Sequence, residues 1–169
     1  MTPSRAPAHT LIRAFRPGDE LAFRQLNEAW ITRFFALEAK DEAILGDPQK
    51  YILWPGGQIL FAQSGDDPVG CCALIRLAPD AFEIAKMAVA ESAQGQGIGR
   101  LLMQAAIDLA RHLGARRLYL ETNSKLAPAL GLYARFGFRV IPEDALPPSP
   151  YVRADVRMEL LLDNPRAAG

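Results

Sequence analysis

Gln94-Gly95-Gln96-Gly97-Ile98-Gly99-Arg100 (QGQGIGR) lies directly before the clearest helix pattern of the chain. From Ile98 to Leu113, residues Ile98, Leu101, Leu102, Ala105, Ala106, Leu109 and Leu113 recur on one face at helical spacing. Gly114 stops the pattern at the usual left-handed cap position. On the other side, FEIAKMAV (82–89) has a strand pattern. The glycines therefore occupy a strand-to-helix turn. The first turn of a helix has N–H donors without acceptors and the positive end of the helix dipole. Glycines let those amides approach a bulky anion with no Cβ in the way. Arg100 adds a cation at this end, where the isolated helix disfavours one, and so points to a nearby anion.

Several anion-binding turns contain glycines, and spacing separates them. A nucleoside-triphosphate loop ends in Gly-Lys-Ser/Thr, whereas Gly99 is followed by Arg100 and Leu101. A dinucleotide turn requires G-x-G-x-x-G; Gly95 and Gly97 fit, but the third position is Arg100. Glu121 at the next strand end superficially suits that fold's ribose-binding acid, but the preceding strands do not suit it. The remaining alternative is a turn with no ligand.

Working outward, Arg117–Thr122 (RLYLET) is a strand pattern. Strand, helix, strand implies a parallel pair with a right-handed crossover. Upstream, 59–62, 69–77 and 82–89 are strands separated by short turns, which predicts an antiparallel meander. Thr10–Ala14 is a further short strand. A helix is expected over Glu20–Phe35 with Asp19 as its cap, then a short helix and loop over Glu38–Lys50. Downstream come a helix at Leu126–Phe136, a strand at Phe138–Ile141, a proline-rich loop at 142–150 and a last strand at Tyr151–Leu162. The fold class is mixed α/β.

The chain has 169 residues, half of them hydrophobic, enough for one domain with a substantial core. Residues 1–9 read as a flexible tail and 10–163 as the domain. Lys plus Arg equal Asp plus Glu at 19 each, a balance that offers nothing to nucleic acid. No apolar run reaches the roughly 18 residues of a membrane span. Cys71 and Cys72 are adjacent, cannot bridge each other without severe strain and lack metal-ligand spacing, so no metal is expected. The expected compartment is the reducing cytoplasm.

The pattern Q-x-x-G-x-G at Gln94–Gly99, with FEIAKMAV before it and the long helix, RLYLETN and LYARFGF (132–138) after it, resembles the GNAT superfamily of N-acetyltransferases. The string LETNS and PYVRADVRMEL near the C-terminus resemble one bacterial subgroup. This resemblance implies an acyl-CoA N-acyltransferase fold: a central, mostly antiparallel sheet flanked by helices, with two parallel strands that splay apart around the cofactor arm. It implies acetyl-CoA as co-substrate, with Gln94, Gly95, Gln96, Gly97, Ile98, Gly99 and Arg100 on its pyrophosphate. Backbone groups at Met87, Ala88 and Val89, together with Ala129 and Tyr133, belong to the same site. The Asn found in many members seven residues before the tyrosine is Leu126 here; Asn123 is the candidate to take over its contact.

Transfer of acetyl to an amine needs a neutral nucleophile, donors for the oxyanion and a proton donor for the leaving thiolate. The resemblance assigns the oxyanion donors to amides near Met87–Val89 and makes Tyr133 the candidate acid. Glu83 is the candidate base, with Glu121 its rival. His9 and His112 look uninvolved, and Cys71 and Cys72 read as core. Trp30, Phe34, Phe35, Tyr51, Trp54 and Tyr151 are aromatic candidates for the acceptor pocket, and Glu38, Asp41, Glu42 and Asp47 could attract a cationic acceptor. Arg153 and Asp155 alternate on the expected last strand. The expected function is direct transfer from acetyl-CoA to a primary amine of a small molecule or peptide. The alternative is a non-catalytic acyl-CoA sensor or partner module. A longer acyl donor is also open, and the last strands are the candidate surface of a homodimer.

Overall fold

A computed structural model describes residues 9–163; apart from His9, the expected tail lies outside the described residues. Seven strands make one sheet: β1 (Thr10–Ala14), β2 (Gln58–Ser64), β3 (Asp67–Ala78), β4 (Ala81–Val89), β5 (Arg117–Thr122), β6 (Arg139–Val140) and β7 (Val156–Leu161). Their order is β1-β2-β3-β4-β5-β7-β6. Only β4 and β5 run parallel; the other neighbours are antiparallel. The meander and the parallel crossover inferred from the strand spacing are both present.

Each face of the sheet has its own core. Helix α3 (Ile98–His112) covers one face, burying Leu102, Met103 and Ala106 against Phe82, Ile84, Leu118 and Leu120. Helices α1 (Glu20–Phe34) and α2 (Ala39–Gly46) cover the other, where Phe23, Ile44 and Leu45 meet Phe61, Cys71 and Ala88. Helix α4 (Ala127–Arg135) follows β5. Gly114 has φ +88, the left-handed stop that the sequence required.

Several expectations change. Asp19 stands at the start of α1 but makes no capping bond to the helix. Its carboxylate instead accepts both guanidinium nitrogens of Arg13, at 2.7 and 3.0 Å, and the amide of Arg16. The genuine cap is at α2, where Glu38 and Asp41 form a reciprocal capping box. The loop expected after α2 contains a helical turn, Gln49–Leu53. The strand expected at 138–141 shrinks to Arg139–Val140, an edge piece paired with β7.

The larger correction is the last strand, which begins at Val156 rather than Tyr151. Residues 151–155 form a strap across the end of β5. Val152 and Arg153 donate backbone N–H groups to Glu38, and Asp155 donates its N–H to the Thr122 carbonyl. The Asp155 carboxylate accepts from the N–H and hydroxyl of Ser124. These partners satisfy the backbone without a ladder. Arg153 and Asp155 therefore lie on the strap.

Candidate active site

The parallel pairing of β4 with β5 spans only Ala81–Glu83 against Arg117–Tyr119. Beyond Glu83 the two strands part, and β5 continues along β7. From Ile84 onward that edge of β4 has no paired strand among the described residues. A cleft of about 570 Å³ opens there, lined by α1, β4, the glycine turn, the start of α4 and the strap.

β4 is also kinked. Cys71 pairs with Ala88 and Ala73 with Ala85, so Lys86 and Met87 together face Cys72. This is a β-bulge. Lys86 has φ +53, the only positive φ at a non-glycine among the described residues. Such a conformation costs on the order of 1–3 kcal/mol and persists where surroundings over-determine it. The alternating pattern of FEIAKMAV gave no sign of it.

Residues expected at the site separate into two groups. Glu83, Met87, Ala88, Val89, Gln94, Gly95, Gly99, Asn123, Ala129 and Tyr133 line the cleft together. Gln96, Gly97, Ile98 and Arg100 do not. Gly97 caps α3 at φ +78 and offers no side chain, so the first amides of α3 have no side-chain acceptor. The Ile98 side chain is buried in the core, leaving only its backbone for the turn. Gln94 donates to the Val89 carbonyl at 3.2 Å and accepts from Arg33 at 3.2 Å. Arg33, on the exposed end of α1, was not singled out in the sequence. Its spacing three residues after Trp30 was the only signal.

Asn123 is buried, and both polar ends of its side chain are engaged by protein. Its amide nitrogen donates to the Arg153 carbonyl at 2.6 Å, and its oxygen accepts from the Lys125 N–H. In this structure it ties the β5–α4 turn to the strap. Leu126 lines the cleft nearby.

Glu83 is 8% exposed and makes no side-chain hydrogen bond among the described residues. Burial lifts its pKa to about 7, and the nearby Glu121 charge adds to the rise; Lys40 and Lys86 oppose it. Glu121 is engaged instead, accepting from the Tyr119 hydroxyl at 2.8 Å and the Ser149 hydroxyl at 2.9 Å. Tyr133 also lines the cleft and stacks edge-on against Phe138. Desolvation, with a smaller contribution from Cys72, pushes its hydroxyl up to about 12. It is protonated at neutral pH and has no hydrogen-bond partner among the described residues.

A second polar group borders the cleft. Asp41 is fully buried and accepts Lys86 Nζ at 2.5 Å and the two Arg153 terminal nitrogens at 2.5 and 2.7 Å. Burial alone would raise its pKa, but hydrogen bonds from Arg153 and Lys86 outweigh it and hold the carboxyl well below the usual range. The Lys86 pKa is itself lowered, by burial first, with Asp41 opposing the shift. Tyr151 sits among these cations, with Lys86 Nζ 4.8 Å and the Arg153 guanidinium 4.5 Å from its ring centre.

None of the four acids of the acidic run lines the cleft: Asp41 is paired, Glu38 holds the strap, Glu42 pairs with Arg24, and Asp47 accepts from the Lys50 N–H. Trp30, Phe34, Phe35 and Tyr151 line the cleft; Tyr51 and Trp54 lie outside it. Cys71 and Cys72 are buried free thiols whose pKa values burial raises, consistent with core roles.

The family model for the acetyltransferase (GNAT) family matches residues 20–138, and the chain belongs to that family. It is 35% identical over 106 residues to the uncharacterized N-acetyltransferase YvbK of Bacillus subtilis, covering 61% of this chain and 68% of that protein. Over 50 residues it is 50% identical to streptothricin acetyltransferase of Streptomyces lavendulae, covering 30% of this chain and only 26% of that protein. Among solved structures, a GNAT-family acetyltransferase from Staphylococcus aureus superposes with a TM-score of 0.82 at 22% identity, covering 92% of this chain and all of that one. A Bacillus subtilis acetyltransferase in complex with CoA gives 0.69 at 23% identity, covering 91% and 99%. At these identities the structural matches show the fold.

Proposed function

We propose that this chain is an N-acetyltransferase that moves acetyl from acetyl-CoA to a primary amine of a small molecule or peptide by direct attack in a ternary complex. The observation that carries the reading is Glu83, a buried residue whose carboxylate has no hydrogen-bond partner among the described residues, at the point where β4 and β5 part. The CoA-bound fold neighbour supports placing the cofactor arm along the unpaired edge of β4, where an extended chain finds free backbone groups. Its pyrophosphate meets the amides of the Gly95–Arg100 turn.

An ammonium of pKa near 10.4 must lose a proton before it attacks. With a pKa near 7, Glu83 is largely ionised at pH 7.5 yet basic enough to accept that proton, directly or through water. Attack by the amine nitrogen on the thioester carbon pushes electrons onto the carbonyl oxygen, where amides at the β4 bulge serve as donors. Collapse expels the thiolate, and the attacking nitrogen loses its remaining extra proton to water as the amide forms. Full proton transfer from a hydroxyl near 12 to a thiolate of pKa about 8.5 is uphill. Tyr133 therefore stabilises the thiolate by donating a hydrogen bond, a narrower role than general acid.

The test is thiol release from acetyl-CoA with a panel of amino acids, polyamines, aminoglycosides and peptide N-termini. Transfer to at least one amine, slowed by roughly 10²–10⁴ in Glu83→Gln with CoA affinity retained, is the expected result. CoA binding with no transfer to any amine, under conditions where the protein is folded, would favour the sensor module instead. The two free, buried thiols fit a reducing cytoplasm. No helix among the described residues is long and apolar enough to cross a membrane.

A further inference from the structure

We propose that Lys86 is a positioning residue: through its buried ion pair with Asp41 it holds the left-handed bulge of β4 and thereby fixes the backbone edge that receives the cofactor arm. The inference rests on the reading above for the identity of that arm. Four observations carry it.

The bulge puts a residue with a long side chain where glycine would be at ease. Lys86 adopts φ +53, which L side chains rarely tolerate. Glycine would remove that strain, yet the position has a long cationic side chain. Such a residue is informative only if the side chain does something glycine cannot.

The side chain is directed inward. It is 5% exposed, an unusual burial for lysine. Its Nζ lies 2.5 Å from Asp41 Oδ1 and 3.1 Å from the Tyr151 hydroxyl. The anchor is itself rigid. Asp41 is 0% exposed, belongs to the capping box of α2, accepts the Glu38 N–H at 2.9 Å and is gripped by both ends of the Arg153 guanidinium. A bidentate Arg–carboxylate pair fixes geometry as well as charge.

The backbone of the bulge is held from the other side too. The Cys71 thiol donates to the Lys86 carbonyl at 3.5 Å and accepts from the Asn27 amide at 3.3 Å. The residues immediately after the bulge, Met87, Ala88 and Val89, line the cleft, and the Val89 carbonyl receives Gln94 of the glycine turn. A shift at Lys86 is therefore transmitted to both the edge of β4 and the pyrophosphate turn. Because Arg153 shares Asp41, the same anchor links the strap to that edge.

The experiment compares CoA affinity, measured by calorimetry well below the melting temperature, in wild type, Lys86→Ala and Lys86→Gly. Alanine removes the anchor and keeps the Cβ that opposes a positive φ. Glycine also removes the anchor but adopts the bulge conformation freely. Arg153 stays on Asp41 in both variants, so neither leaves that carboxylate unpaired. The expected result is at least tenfold weaker binding in Lys86→Ala and recovery to within threefold of wild type in Lys86→Gly. Equal affinity in the two variants would overturn the proposal, whether both match wild type or both are weakened alike. In the latter case the charge itself, not the bulge, would be what the cofactor senses. Should Lys86→Ala fail to fold, Lys86→Met, which keeps the stem, takes its place with the same expectation. Failure of the wild type itself to bind CoA would instead sink the acetyltransferase reading, a result separable from any difference between the variants.

Discussion

Glu83 on β4 pairs in register with Tyr119, and Glu121, two residues further along β5, carries a charge that raises the Glu83 pKa. Both carboxylates line the cleft, but their partners differ. Glu121 is held by two hydroxyl donors, whereas Glu83 has none and faces the cleft. Desolvation and a neighbouring like charge both raise a carboxylate's pKa toward neutral pH, where it is better matched to general-base work.

The rate of transfer should fall as pH drops through about 7, where Glu83 becomes protonated. Glu83→Gln should remove this limb and lower kcat/KM by roughly 10²–10⁴. Glu121→Gln should keep the limb and move it to lower pH, because a like charge has been removed. An unmoved limb in Glu121→Gln, or a surviving one in Glu83→Gln, would contradict the assignment; pH–rate profiles measure both.

The same shift has a consequence for stability. The folded pKa of Glu83 lies above its ordinary 4.5, so its contribution is fully present below 4.5 and is lost as pH rises through about 7. Glu83→Gln should therefore melt higher than wild type at pH 8, by a free energy of at most about 3 kcal/mol. At pH 4 the two should melt together. Thermal denaturation at both pH values tests this, and a lower melting point for Glu83→Gln at pH 8 would count against a desolvated, unpaired carboxylate.

Asp41→Asn should be among the most damaging single changes, since it removes the negative charge that Lys86 and Arg153 share and puts an amide donor where one of them needs an acceptor. Breaking a buried pair in this way costs about 3–5 kcal/mol, which for a chain of this size is a drop of roughly 6–20 °C in melting temperature. The wild-type pair stabilises the fold above the ordinary Asp pKa of 3.8 and loses that contribution as pH falls below it, because the folded pKa is depressed. A melting point within 2–3 °C of wild type at pH 7 would show that the cluster contributes little.

The glycine turn, α3 and β5 were legible because their signals are local: glycines where φ is positive, a helical apolar stripe, a period-two strand. Tyr151–Asp155 was misread for the same reason. Its alternation of polar and apolar side chains satisfies a strand pattern, yet the segment is organised by Arg153 meeting Asp41 and by Val152 meeting Glu38, more than a hundred residues away. No window along the chain contains both partners. The β4 bulge was hidden similarly, since Lys86 is an ordinary strand residue until Asp41 is placed beside it. Arg33 was missed because an exposed arginine at a helix end is unremarkable until the fold brings Gln94 to it.

Tyr133→Phe should lower turnover at least tenfold with CoA affinity nearly unchanged. The hydroxyl is raised to about 12, so it remains a donor across the working pH range and should add no limb of its own below about pH 10. Steady-state kinetics beside calorimetry separate the two effects. Wild-type turnover in the variant would reduce Tyr133 to a packing residue against Phe138.

The glycine turn can be tested without disturbing its conformation. Gly97 has φ +78, so any side chain there strains the backbone whether or not a ligand binds. Gly99 lies in the first turn of α3, and a Cβ there would sit 3.7 Å from Leu132, an ordinary contact. Gly99→Glu therefore adds a negative charge to a turn that should stay folded. Adding Gly97→Glu would confound charge with strain. We expect Gly99→Glu to abolish measurable CoA binding while its melting temperature stays within a few degrees of wild type, and Gly99→Ala to bind within about tenfold. Arg33→Ala, which removes the cation beside Gln94, should weaken CoA three- to tenfold and flatten the salt dependence of binding. Undiminished affinity in Gly99→Glu would place the cofactor phosphates elsewhere and undo the reading of the turn as their cradle.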